Sequence, residues 1–512
     1  MMKRKPSKKA VRIAEKYGMP LPPFRHQLRE FLDHRDARAR ALLWSMRTGK
    51  SRSIIDLAAY NFLIRHKIDG VLVIAPNGVH DNWIRRQMPE HAWADLGHQQ
   101  NCLVWRMGDF TSEKKLKAWQ KQYERNMRSK KLFWLSVNSE SMIKPKTRKL
   151  LKDFTKRRKF LLVVDESDDF RTPGSKRTAM ARALKRRAVM RRILTGTIVG
   201  NSPLAAYSQF ELLDDGALGF DNFGTFKNTY AEYAMERPMG KDGKPIYSSA
   251  RKYPVFKRFR RLDDLRERMA EWATVVLRED CEDLPRLMRT ERTVVITSEQ
   301  RRIYKKLHRE FVVAIKNKEV SIGENTMRLI KLQQVLSGFL IDEWGDVHDI
   351  PGENPKLEAL SREVAQTNGP VVVWAVYHED IRRIVKRLKA EGRRIGEYHG
   401  LVSNRHKTEC IDDFQSGRID TIVGHPKAGG RGLDFSATRA IIYYSHTFDA
   451  IVRQQSEERG TKAGGHDVAI VDLVVPDSTD TYIRNNVRNK VDISTKLAGK
   501  GLKELLESTV MD

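Results

Sequence analysis

Ten short apolar runs, in two series of five, set the strongest limit on how this chain can fold. The first series is "ALLW" at 41–44, "VLVIAP" at 71–76, "LFWLSV" at 132–137, "FLLVVDE" at 160–166 and "RILTGT" at 192–197. The second is "PVVVWA" at 370–375, "RIGEYHG" at 394–400, "TIVG" at 421–424, "AIIYYS" at 440–445 and "VAIVDLVV" at 468–475. Most of these runs are continuously apolar rather than alternating. Such strands are covered on both faces, as in a parallel sheet flanked by helices. Helical patterns separate the runs: in "HEDIRRIVKRLKAEG", Ile381, Ile384, Val385 and Leu388 share one helix face. The pattern predicts the α/β class, with two tandem parallel-sheet lobes and no close sequence repeat between them. From about 225 to 365 the chain reads as helical and charged, and the basic stretch at 237–261 is expected to be a surface loop or hairpin.

A chain of 512 residues is too long for one hydrophobic core, which agrees with two lobes. Its 95 Lys and Arg against 65 Asp and Glu leave a net charge of +30, a field that attracts a polyanion, with nucleic acid the leading partner. Basic clusters sit at 144–159 and in the C-terminal "RNNVRNKVDISTKLAGKGLK". Cys102, Cys281 and Cys410 show no C-x-x-C spacing, so neither a disulfide framework nor a structural zinc site is readable. The basic N-terminus lacks the apolar stretch of a secretory signal, and no run approaches the roughly 18 apolar residues of a membrane span. A soluble, cytoplasmic protein without a membrane partner is expected.

The chemistry starts at "LLWSMRTGKSRSII", Leu42 to Ile55, which reads as strand, tight loop and helix. Gly49, Lys50 and Ser51 match the end of the phosphate-loop pattern GxxxxGK[ST], although Trp44 stands where that pattern has its first glycine. In a phosphate-loop enzyme Lys50 would neutralise the β- and γ-phosphates, and the Ser51 hydroxyl would complete a Mg²⁺ shell. After "FLLVV" come Asp165 and Glu166, at the carboxyl edge where open parallel sheets bind ligands. One carboxylate would hold Mg²⁺ and the next would activate the attacking water. Taken alone, "DESDD" also fits a capping or turn segment. The upstream Gly-Lys-Ser favours the catalytic reading.

Five stretches resemble, in order, the first-lobe motifs of superfamily-two helicases: "FRHQ" at 24–27, "MRTGKS" at 46–51, "VLVIAPNGVHDNW" at 71–83, "DESDDFRTPGSKRT" at 165–178 and "LTGTIVGNSPLAAYSQFELL" at 194–213. In the second lobe, "EYHGLVSNRHKTECIDDFQSG" at 397–417, "HPKAGGRGLDFSATRAIIYYSHTFD" at 425–449 and "RQQSEERGTKAGG" at 453–465 resemble that group's later motifs. The set is similar to the SWI/SNF-type family of DNA translocases, especially its small viral and bacterial members, over about residues 21–475.

The resemblance implies two RecA-like lobes: a basic extension at 1–20, lobe one at 21–225, a helical and basic insertion and linker at 226–290, lobe two at 291–480, and a basic extension at 481–512. It implies ATP and Mg²⁺, with Ser51 and Asp165 on the metal, and Lys50 and Glu166 as catalytic groups. Arg47, Thr48 and Gly49 would line the phosphates, and Gln27 would read the adenine with Phe24 or Arg25 packed near it. Gly430, Asp434 and Gln455 would face the nucleotide from lobe two, with Arg459 and Lys462 at its phosphates. Asp168, Thr195, Gly196 and Thr197 would couple nucleotide state to lobe movement. Asn77, Ser139, His399 and Lys427 are expected near a track on DNA, double-stranded or branched.

Three positions depart from the family pattern. Arg47 replaces a glycine, so it either points away from the nucleotide, as a crowded loop favours, or adds charge beside the phosphates. Asp168 stands where many relatives carry histidine. Lys462 replaces an arginine and offers a point charge without the planar fork. The expected function is an ATP-driven DNA translocase acting in replication, recombination or repair. The competing expectations are a strand-separating DNA or RNA helicase, and a degenerate motor that binds or anneals DNA.

Overall fold

Each of the ten apolar runs contains a strand, and every strand pair in the two large sheets is parallel. The computed structural model describes residues 6–77, 79–196, 202–236, 253–281, 284–316, 322–428, 435–461, 465–485 and 487. The described residues form two compact units, the first holding those up to Ala231 and Phe259–Leu284, the second those within Glu232–Arg258 and from Pro285 to Val487.

The first nine strands are β1 (Ala39–Trp44), β2 (Gly70–Ala75), β3 (Gln100–Trp105), β4 (Leu132–Asn138), β5 (Phe160–Asp165), β6 (Met190–Thr195), β7 (Ala231–Glu236), β8 (Tyr253–Phe259) and β9 (Ala273–Val276). Seven of them make the first sheet in the order β3-β4-β2-β5-β6-β1-β9, while β7 and β8 pair separately. The continuous hydrophobicity has the cause expected of it. On β5, Leu162 and Val164 enter one core and Leu161 and Val163 the other; on β4, Phe133 and Leu135 oppose Leu132 and Trp134 in the same way. Of the basic stretch at 237–261, residues 237–252 lie outside the described residues.

In the second unit β10 (Leu287–Thr293), β11 (Phe339–Ile341), β12 (Val347–Asp349), β13 (Val371–Trp374), β14 (Ile395–Tyr398), β15 (Thr421–Gly424), β16 (Ala440–Tyr443) and β17 (Val468–Val474) follow. The large sheet runs β10-β17-β16-β13-β15-β14, and β11 and β12 form an antiparallel hairpin. Its strands also divide between two cores, with Val371 and Val373 on one face and Val372 and Trp374 on the other.

Strands β3, β9 and β10 are absent from the ten runs, and each lies at a sheet edge. β3 carries a half-buried Gln-Asn-Cys start, β9 is four residues long directly after the helix Leu262–Trp272, and β10 reads "LMRTERT" with mostly exposed side chains. An edge strand has one neighbour and a looser apolar requirement, so charge and brevity hide it from the pattern. The reading of 225–365 as helical is corrected at six strands, β7 to β12. Among the described residues no helix is long and apolar enough to cross a membrane.

Outside any motif, Lys356 Nζ lies 2.7 Å from Asp480 Oδ2, both about 1% exposed, and the ammonium stands over the Tyr444 ring. This ties the helix Pro355–Gln366 to the segment after β17. Removing one partner of a buried pair leaves a charge without compensation. Lys356→Ala is expected to cost roughly 3–5 kcal/mol, read as a lower urea midpoint, and Lys356→Met with Asp480→Leu to recover most of it.

Candidate nucleotide site

The phosphate loop begins at a tryptophan because Trp44 is still part of the strand. Its side chain is fully buried in the core, edge-on to the His26 ring at 5.0 Å. The loop then turns through Ser45 to Gly49 into the helix Lys50–Leu63. Arg47 has φ +66° and Gly49 φ +84°, both left-handed. A glycine would take this conformation without strain, and Arg47 holds it at a cost on the order of 1–3 kcal/mol. At Gly49 the positive φ favours glycine, and a Cβ there would lie 2.1 Å from Gln27 Nε2 and push that amide off its bonds to the loop.

Within the loop, the Thr48 hydroxyl donates to Ser45 O at 2.8 Å, and Lys50 Nζ donates to Trp44 O at 2.8 Å and Ser45 O at 3.2 Å. No acidic residue occupies the first turn of the helix, so its amide dipoles face the loop uncompensated. Ser51 is half-buried in that turn. The first turn of the helix Arg25–His34 grips the loop from outside. Gln27 Nε2 donates to Thr48 O and Gly49 O at 3.3 Å each, its Oε1 accepts from Phe24 N at 2.8 Å, and His26 Nε2 lies 2.7 Å from Thr48 O. His26 escaped sequence reasoning, although it stands inside the quoted "FRHQ".

The acid pair ends β5. Asp165 Oδ2 accepts from Trp83 Nε1 at 2.8 Å, and Oδ1 accepts from Glu166 N at 3.0 Å. Burial, then the Glu166 charge, push the Asp165 carboxyl up to about 6, against the Trp83 bond and the Lys50 charge, which pull it down. Glu166 itself has φ +51° and is buried. Trp83 opens a π-helical turn at Trp83–Gln87, and an indole N–H this deeply buried needs an acceptor. It too was quoted in a motif without being assigned a role.

Between these loops lies the end of β6. In the sheet order β6 separates β5 from β1, with Asp165 beside Leu194 and Leu43 beside Thr195. Thr195 is fully buried. A Cβ on Gly196 would come 3.0 Å from Met46 Cγ and 3.7 Å from Lys50 Nζ, so the segment after β6 lies directly against the phosphate loop. Thr197 lies outside the described residues. Asp168 is buried in the turn Ser167–Phe170. Beside it the Ser167 hydroxyl donates to Gln209 Oε1 at 2.6 Å, joining the acid turn to the helix Ala205–Phe210.

In the second unit, Gln455 and Arg459 are buried, on and just past the helix Ala450–Glu458. The Asp449 carboxylate caps this helix by accepting from Ile451 N and Val452 N. Arg453 anchors it, with Nε 2.6 Å from Glu457 Oε1, Nη1 2.7 Å from Asp472 Oδ1, and its guanidinium 3.3 Å above the Tyr443 ring. Gly430, Asp434 and Lys462 lie outside the described residues.

The expected DNA contacts divide. Asn77 and Lys427 are exposed. Ser139 is fully buried, and its hydroxyl donates to Asp169 Oδ2 at 3.0 Å, so it braces the acid turn and presents nothing to a surface track. His399 is buried beside Glu397 Oε2, 3.4 Å away, with the His378 ring edge-on to it.

The SNF2-related domain family matches residues 26–337, and the helicase conserved C-terminal domain family matches residues 355–464. The chain belongs to the SNF2-related family. It is a helicase-like protein of the SNF2 type. Relatives include the putative ATP-dependent helicase/translocase YwqA of Bacillus subtilis, 21% identical over 317 residues, covering 59% of this chain and 32% of the relative. ATP-dependent RNA helicase DBP3 of Saccharomyces cerevisiae is 28% identical over 127 residues, covering 24% of this chain and 23% of the relative. The matches thus span between about a quarter and a third of these curated relatives. Among solved structures, the Sulfolobus solfataricus SWI2/SNF2 ATPase core in complex with dsDNA aligns at 15% identity and TM-score 0.39, covering 94% of this chain and 97% of that one.

In this SNF2-related chain, Trp83→Phe removes one of the hydrogen bonds holding Asp165, a bond to a charged group worth roughly 1.5–3 kcal/mol. ATP hydrolysis is expected to need several-fold more Mg²⁺, and an unchanged Mg²⁺ dependence would count against a positioning role. Gly196→Val should raise the KM for ATP about tenfold by driving Met46 into the loop, at an overpacking cost of roughly 1–3 kcal/mol; nucleotide titration reads it.

Proposed function

We propose that this SNF2-related enzyme couples ATP hydrolysis to movement along duplex DNA, and that it remodels DNA branches or displaces bound proteins in replication, recombination or repair. The observation that carries the reading is the convergence of the phosphate loop, Gly196 and the Asp165–Glu166 pair at the ends of three adjacent strands. The net charge of +30 supports a polyanionic track.

In this reading Lys50 leaves its carbonyl acceptors to neutralise the β- and γ-phosphates, and the amides of Arg47, Thr48 and Gly49 line them. The Ser51 hydroxyl, in the helix that follows β1, and the Asp165 carboxylate, at the end of β5, are oxygen donors next to the two strands that flank β6, a donor set that fits a hard divalent cation such as Mg²⁺. When bound there, Mg²⁺ supplies charge for the phosphates. Glu166 orients the attacking water and takes its proton. Gln27, already bonded to the loop, reads the adenine edge.

Thr195, Gly196, Thr197 and Asp168 report nucleotide state to the rest of the first unit, with the Ser167–Gln209 bond as the wired part of that link. Gly430, Asp434, Gln455, Arg459 and Lys462 are the groups of the second unit assigned to respond to it. Asn77, Lys427 and His399 are assigned to the DNA track, where contacts go to phosphates and tolerate any sequence.

The test is ATP turnover with duplex DNA, single-stranded DNA and RNA, beside Lys50→Ala and Glu166→Gln. Duplex DNA should stimulate most, and each variant should lose on the order of a hundredfold or more in kcat. Stimulation by RNA alone would transfer the enzyme to the RNA helicases. No stimulation by any nucleic acid would end the motor reading. Lys462→Arg should keep or raise turnover, and Lys462→Ala running at the parental rate would remove that residue from the site.

A further inference from the structure

The positive charge is concentrated in one place. Between residues 113 and 159 seventeen Lys and Arg stand against four Asp and Glu, so these 47 residues carry +13 of the chain's +30. They include two neighbouring helices of the first unit, Glu113–Arg128 and Pro145–Arg157. The helices are joined by Tyr123 donating to Asp153 at 2.8 Å and by Arg157 donating to both oxygens of Glu124 at 3.1 Å. These bonds engage two of the four carboxylates, and a third, Glu113, pairs with Lys117.

Helix periodicity arranges what remains. Thr147, Leu150, Leu151 and Phe154 face the core, so Lys149, Lys152 and Lys156 fall on the opposite, exposed side. On the other helix Lys121 and Arg125 are exposed opposite the buried Tyr123 and Met127. Among the described residues none of these five cations has a carboxylate partner. The two helices also expose no large hydrophobic side chain. A protein partner is held at apolar and aromatic anchors in the centre of its contact, which this face lacks, whereas a phosphate backbone needs only the cations.

We propose that this face binds the phosphates of a second stretch of duplex DNA, apart from the track assigned above. The inference rests on the DNA reading of the function. It goes beyond it in place: the helix Pro145–Arg157 follows β4 and leads back to the start of β5, so it runs away from the carboxyl edge that carries the nucleotide groups. At about 1.5 Å per residue, Lys149 to Lys156 lie roughly 6 to 17 Å along it. The enzyme thereby holds two arms of one DNA molecule, as a bent or branched substrate offers.

The full chain is compared with Lys149→Ala/Lys152→Ala/Lys156→Ala by measuring affinity against salt, on duplexes of about 60 and about 15 base pairs. At roughly 0.9 of slope per phosphate contact, the triple variant should lower the slope of log K on log salt by about 2 to 3 on the long duplex. The short duplex, which reaches the track alone, should bind as before, and ATP hydrolysis without DNA should be unchanged. The matching triple Lys→Arg variant should restore the slope. An unchanged slope on the long duplex overturns the proposal, and so does an equal loss on both lengths, which would merge the face with the track. Loss of polyglutamate binding with the DNA slope intact assigns the face to an acidic protein and overturns it too. If the parental enzyme binds no duplex at all, the proposed function falls along with this inference; if only the variant's slope stays put, the inference falls alone.

Discussion

The position of β6 between β1 and β5 is the constraint on which the candidate site depends. A parallel sheet turns all its carboxyl ends toward one edge, so the loops leaving three adjacent strands must share that edge. The missing side chain of Gly196 then lets the β6 loop close on Met46 and Lys50. A phosphate loop, a buried carboxylate pair and a threonine become neighbours although they are spread over some 150 residues of chain. The same sheet order can carry motion, because a shift of the β6 loop cannot leave the phosphate loop unaffected.

Holding that edge in place has a cost in backbone energy. Arg47 and Glu166 sit in left-handed conformations, each worth on the order of 1–3 kcal/mol of strain, and Asp165 is buried with its carboxyl pushed up to about 6. The support comes from ordinary packing around it. Trp44 belongs to the core, His26 and Gln27 hold the Thr48 carbonyl, and Trp83 holds Asp165 from the helical segment after β2. Strained residues braced by a rigid surround are what an oriented catalytic constellation requires.

The second unit solves a similar problem with charge. Its helix Ala450–Glu458 sits on β16 and β17 through Arg453, which is bonded to Glu457 and Asp472 and stacked on Tyr443. Arg289 on β10 closes the chain by donating to Glu457 at 2.7 Å. Buried ions of this kind stabilise little against apolar replacements, yet they define one register for the helix. That register decides where Gln455 and Arg459 emerge.

The sequence alone was enough for what depends on neighbours along the chain. Continuous apolar runs required strands covered on both faces, and Gly-Lys-Ser and Asp-Glu marked the strand ends at which the candidate site is built. It was silent where a residue's meaning depends on a distant partner. Trp83 acquires a role from Asp165, 82 positions away, and Ser167 from Gln209, 42 positions away. Edge strands β3, β9 and β10 escaped because an edge relaxes the demand for apolar side chains. Ser139 looked like a surface contact and is an interior brace, since burial is set by the packing of β4 against the acid turn and not by the polarity of a hydroxyl. Tertiary structure also decided the backbone at Arg47: the loop turns left-handed there, and a dihedral angle is a property of the folded path that residue order does not record.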